Sequence, residues 1–176
     1  MNAPLRITDF HNELAESHKA TSSPIVWKAI TRHFPGALNA HPCHVENDKR
    51  GADVIVELNG QKPVMVDLKT RKKDYAQHRS DIDVVLELSY GNRPGWAAKE
   101  TLADYYLFVC MDSGRSACFS APELHQATAR HSEAWSSTFK QLTTITGGQY
   151  SNIVSHAVAV PANVVAKAIQ LRDEGA

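Results

Sequence analysis

Cysteine is scarce and unpatterned. Cys43, Cys110 and Cys118 are an odd count at irregular spacing, which excludes a disulfide scaffold and predicts a reducing, cytoplasmic setting. Net charge is absent: 19 Lys and Arg balance 19 Asp and Glu among 176 residues. That excludes a uniformly basic nucleic-acid coat but leaves a local basic patch open. No apolar run approaches the roughly 18–20 residues of a membrane span, so no membrane partner is expected. The opening MNAPLRITDFHNE has no apolar signal-peptide core. Repeats and low-complexity segments are missing. What remains is 43% hydrophobic and 22% charged, the composition of one globular domain over residues 1–176.

Local signals order this chain as helices, strands, helices, a strand and a helix. Thr8 or Asp9 caps a first helix to about residue 20. Ser23-Pro24 reads as an N-cap followed by proline at the first helical position, and Pro35-Gly36 ends that second helix. Residues 39–51 read as polar loop. Strands are expected near 52–58, 62–69, 83–90, 104–111 and 116–120, with a short helix between Trp96 and Leu102. Helices near 122–131 and 133–143 follow, then a loop at Thr146-Gly147-Gly148. A strand from Ile153 to Val160 precedes a helix opened by Pro161. The fold class is α/β or α+β with a mixed central sheet flanked by helices.

The segment Gly51–Thr70, GADVIVELNGQKPVMVDLKT, carries the chemistry. Two strands flank Asn59-Gly60, a strong hairpin signal. A two-residue loop would place Asp67 on the apolar Val54/Val56 face. A loop of Asn59-Gly60-Gln61 instead pairs Val56 with Val64 and Val54 with Val66. Register follows the hydrophobic pattern, so the second is expected. Asp53 then lies opposite Asp67, with Cβ atoms about 4.5–5.5 Å apart. Lys69 shares their face. Two carboxylates so close repel unless a cation or a proton lies between them. Mg²⁺ takes such oxygen ligands together with waters and phosphate oxygens. A bland alternative makes Asp53 a strand cap and Asp67–Lys69 a surface ion pair. Against it, Asp67 interrupts an apolar strand, VMVDLKT.

An acid at the start of one strand and Asp67-Leu68-Lys69 on the next resemble the motif of the PD-(D/E)XK nuclease superfamily, with Asp where Glu is more usual. The stretch LELSYGNRPGWAAKETLADYYLFV also looks like small phage and bacterial members. The resemblance covers about residues 8–125. It implies a restriction-endonuclease-like αβββαβ core, Mg²⁺ or Mn²⁺ as cofactor, and DNA as substrate. Asp53, Asp67 and Lys69 would be catalytic, and the Leu68 carbonyl a further metal ligand. A helix glutamate is often added; Glu13 and Glu16 are both candidates.

Other residues carry two readings each. Lys69, Arg71, Lys72, Lys73 and Arg79 place five positive charges within eleven residues, interrupted by Asp74. They form either a phosphate-contacting edge or a solvated loop. Glu87, inside DVVLELSY, is either a further metal ligand (or support for the lysine) or an outward strand residue. Trp96 packs or stacks on a base. The tyrosines carry no assignment. His41-Pro42-Cys43-His44 lacks the second ligand pair of a zinc site.

The expected function is metal-dependent hydrolysis of DNA phosphodiesters. The first rival is a nuclease-fold module that binds nucleic acid or protein without cutting. The second is an assembly or accessory protein of a phage or mobile element. Oligomeric state is left open, a homodimer included.

Overall fold

The structure is a computed structural model, and it describes residues 6–9, 22–44, 47, 50–76, 79–147 and 152–171. The described residues form a mixed α+β architecture of two five-stranded sheets. In chain order the elements are β1 (Arg6–Asp9), α1 (Pro24–His33), β2 (Ala37–Pro42), β3 (Val54–Leu58), β4 (Val64–Arg71), β5 (Asp83–Tyr90), β6 (Arg93–Pro94), β7 (Tyr105–Cys110), β8 (Ser116–Ser120), α2 (Ala121–Thr138), β9 (Lys140–Gly147), β10 (Asn152–Pro161) and α3 (Ala162–Gln170). Among the described residues, no helix is long and apolar enough to cross a membrane.

The chain divides into two compact units. One contains β1, β5, β6, β9, β10, α3 and all but the start of α2. Its sheet has the order β1-β9-β10-β5-β6, parallel only between β1 and β9. Val84 and Leu86 of β5, Val158 and Val160 of β10, and Val165 of α3 are fully buried. Each such side chain contributes roughly 1.5–3 kcal/mol by leaving water.

The other unit contains α1, β2, β3, β4, β7 and β8, in the sheet order β2-β3-β4-β7-β8. Ser23 caps α1 by accepting from the Ile25 N–H at 3.3 Å, and Pro24 follows. The apolar stripe Val26, Ala29, Ile30 and Phe34 packs on Val54, Val56, Val66, Leu68, Leu107 and Val109 of the sheet. Gly36, at φ +85°, allows the reversal into β2. β4 and β7 run parallel, with Asp67 beside Tyr106 and Lys69 beside Phe108. The αβββαβ order implies a helix between the meander and its parallel strand. Here that connection carries β5 and β6 of the other unit.

Four local expectations change. Thr8 and Asp9 do not start a helix; they lie in β1, paired to Thr146 and Gly147, and the rest of the proposed helix falls outside the described residues. Residues 39–42 are an edge strand, not loop. Residues 96–98 are turns rather than a helix; next to them Gly95 packs too closely on the Glu87 carbonyl to admit a Cβ, which would lie 2.3 Å away. One helix runs through 121–138 and gives way to β9, where Leu142-Thr143-Thr144-Ile145 is a β-favouring run.

Candidate active site on the third and fourth strands

The hairpin adopts the register that alternation predicts: Val56 faces Val64 and Val54 faces Val66. Gly60 takes φ +68° in its turn. The pairing then bends around the acids. The Asp53 N–H donates to the Val66 carbonyl at 3.0 Å, and its carboxylate Oδ2 accepts the Leu68 N–H at 2.8 Å. Asp53 therefore grips the fourth strand on both sides of Asp67. The Cys43 N–H donates to the Asp53 carbonyl at 2.8 Å and fixes it from the second strand.

Asp67 is 3% exposed. Its Oδ1 is buried and receives no hydrogen bond; Lys69 Nζ lies 2.6 Å from it as an ion pair without hydrogen-bond angles. The lysine side chain keeps 29% of its surface exposed. Burial, and then the Asp67 charge, push the Asp53 carboxyl up to about 7; Lys69 and the Leu68 N–H oppose the shift. A carboxylic acid that titrates near neutrality beside a second acid is a common mark of a working site, although structural clusters share it.

Three residues support the acids, and of these only Gly51 stands out in the sequence. Gly51, at φ +87°, lies against Asp67: a Cβ there would be 3.8 Å from Asp67 Oδ2 and 2.6 Å from Thr101 Oγ1. Thr101 Oγ1 donates to the Gly51 carbonyl at 3.0 Å and accepts the Ala103 N–H at 3.1 Å. Tyr106 is fully buried and hydrogen-bonded to Thr101, and its hydroxyl pKa is raised by burial and by Asp67. The glycine before the first acid was the available signal; Thr101 had none.

Asp53, Asp67, Lys69 and the Leu68 backbone thus come together. Glu13 and Glu16 lie outside the described residues. Glu87 belongs to the other unit, on the opposite strand face from Val84 and Leu86, where its Oε1 accepts the Trp96 N–H at 3.4 Å. Arg71 continues the Asp67–Lys69 face of β4 by strand alternation. Lys72, Lys73 and Arg79 are exposed in the following loop. Asp74 does not merely interrupt that loop. It is a buried anchor whose carboxylate accepts from Arg115 Nε, Ser113 Oγ and the Ala76 N–H. His41 pairs with Glu57 at 3.4 Å.

No group of three or more His, Cys, Asp and Glu side chains with metal-site geometry occurs among the described residues. Two neighbouring carboxylates with one lysine between them and solvent nevertheless suit a hard cation that completes its shell with water and backbone oxygen. Compared with protein-family models, curated proteins and solved structures, the chain matches none of them.

Proposed function

We propose that this chain is a metal-dependent deoxyribonuclease of the PD-(D/E)XK type, working at Asp53, Asp67 and Lys69. One observation carries the reading: two desolvated carboxylates share one spot, with a lysine amine 2.6 Å from a buried oxygen that has no hydrogen-bond donor. Two buried carboxyls side by side repel unless a proton or cation joins them, and the single Lys69 ammonium offsets only one of the two charges.

Asp53, Asp67 and the Leu68 carbonyl would hold Mg²⁺ or Mn²⁺. When bound, such an ion lowers the pKa of a water and neutralises charge on phosphate. Lys69 supplies the mobile positive charge at the open side, where its amine orients the attacking water and meets a non-bridging phosphate oxygen. Thr101 and Tyr106 hold the back of the site, and Gly51 lets the main chain approach Asp67. Arg71, Lys72, Lys73 and Arg79 attract the DNA backbone.

The test is incubation with linear, circular and branched DNA, with and without Mg²⁺ or Mn²⁺. Metal-dependent strand cleavage is expected; no cleavage with either ion overturns the reading. The second reading, a module that binds without cutting, is favoured by one observation: the balanced net charge, since a free nuclease gains from a basic groove.

A further inference from the structure

Tyr75 is the most exposed large apolar side chain among the described residues, at 78%, and it lies within the basic loop. The main chain on both sides of it is fastened. The Asp74 N–H donates to both Asp112 carboxylate oxygens at 3.0 Å, and the Ala76 N–H donates to Asp74 Oδ1 at 3.0 Å. Ala76 is itself buried, and its carbonyl accepts the Arg79 N–H at 2.8 Å. Arg115 ties the loop from below, bonding Asp74 through Nε and the Arg79 carbonyl through Nη1. Six backbone or side-chain bonds thus hold a loop whose central ring faces solvent. The anchors hold the main chain on either side of the exposed ring.

Its surroundings select the occupant. Arg71, Lys72, Lys73 and Arg79 bracket the ring in sequence, and Arg71 extends the strand face that carries Asp67 and Lys69. An exposed aromatic among cations suits an unpaired nucleotide: the ring stacks on the base, and the cations meet its phosphates. A base inside an intact duplex has both faces covered, so it cannot use such a platform.

We infer that Tyr75 is a stacking platform for an unpaired base, and that the site takes single-stranded or frayed DNA in preference to intact duplex. This rests on the nuclease reading for the choice of DNA, while its own readout is binding.

The experiment measures anisotropy of a labelled oligothymidylate and of a blunt duplex, in EDTA, across a salt series. Tyr75→Ala is expected to weaken oligothymidylate binding roughly 5- to 100-fold. Tyr75→Phe should bind like the wild type, because the ring and not the hydroxyl stacks. The salt slope of Tyr75→Ala should equal the wild-type slope, because stacking releases no counterions. Duplex binding should change less than about twofold. Melting curves should coincide, since an exposed ring contributes little to folding. Equal oligothymidylate affinity in Tyr75→Ala, or an equal loss on duplex, overturns the inference. Cleavage in Mn²⁺ is read in parallel. Tyr75-dependent binding without any cutting sinks the nuclease reading and keeps the platform. Cutting with Tyr75-independent binding does the reverse. Absence of binding to either DNA overturns both.

Discussion

Two aspartates of the same unit are almost equally buried, Asp67 at 3% and Asp74 at 5% exposed. Their surroundings are opposite. Asp74 accepts from a guanidinium, a hydroxyl and a backbone N–H, and the Arg115 hydrogen bond, opposed by burial, holds its carboxyl below the usual range. Asp67 faces another carboxyl, keeps one oxygen without a donor, and leans on a half-open lysine. The first arrangement is complete without a ligand. The second sets two acids against one lysine, so one carboxyl still calls for a proton or a further cation. Burial alone therefore does not mark function; the unmet demand of the buried group does.

The largest expected effect separates the two by chemistry. Asp67→Asn should lower metal-dependent cleavage by roughly a hundredfold or more, with an unchanged or higher Tm in metal-free buffer, because like-charge repulsion is removed. Lys69→Ala should cost cleavage similarly while leaving Mn²⁺ binding intact. Gel assays beside calorimetry decide it: a variant that cuts like wild type moves the site elsewhere. Asp74→Ala should do the opposite and destabilise by about 3–5 kcal/mol, read from urea midpoints, because Arg115 Nε, Ser113 Oγ and the Ala76 N–H lose their common acceptor. A loss below about 1 kcal/mol would erase the contrast.

The comparison sharpens with pH. The folded Asp53 carboxyl is raised to about 7, so the unfolded chain releases this proton first as pH rises. Stability from Asp53 is present in acid and lost between about pH 4 and pH 7. His33, whose pKa is lowered by burial first, has the opposite sign and loses stability as pH falls below its ordinary value. The difference in Tm between wild type and Asp53→Asn cancels His33. Relative to the variant, the wild type should lose ground from pH 5 to pH 8, and Mg²⁺ should restore part of it at pH 8 only. A pH-independent difference would refute the proton-sharing pair. The smallest effect concerns the loop. Changing Arg71, Lys72 and Lys73 together to Ala should flatten the salt dependence of DNA binding by roughly three charge contacts; an unchanged slope makes these residues a solvated edge.

What could be read from the chain was local or periodic. Ser23-Pro24 announced its helix, and alternation across Asn59-Gly60 set the Val54–Val66 and Val56–Val64 register, beyond whose end Asp53 reaches the fourth strand beside Asp67. What escaped depends on distant partners. Asp74 looks like a gap in a basic run until Arg115, 41 residues later, is beside it. Thr101 is anonymous until it meets Gly51, 50 residues earlier. The edge strand β2 hid behind polar residues, a proline and a register shift after Ala37. β1 hid because Thr8 and Asp9 are good helix caps, and a parallel partner at residues 144–147 outweighs that preference.

The crossing of the chain between its two units has a consequence for biosynthesis. The third and fourth strands emerge from the ribosome together and can pair at once. Their parallel neighbour cannot: Met65 bonds Asp104, 39 residues on, and the intervening β5–β6 hairpin belongs to the other unit. Until Tyr106 arrives, the Asp67 edge of the fourth strand lacks its parallel neighbour. Desolvation, and with it the raised Asp53 carboxyl, comes only when the parallel strand closes. A nascent chain halted before Glu100 would thus carry Asp53, Asp67 and Lys69 without the parallel strand that lies beside Asp67 and Lys69.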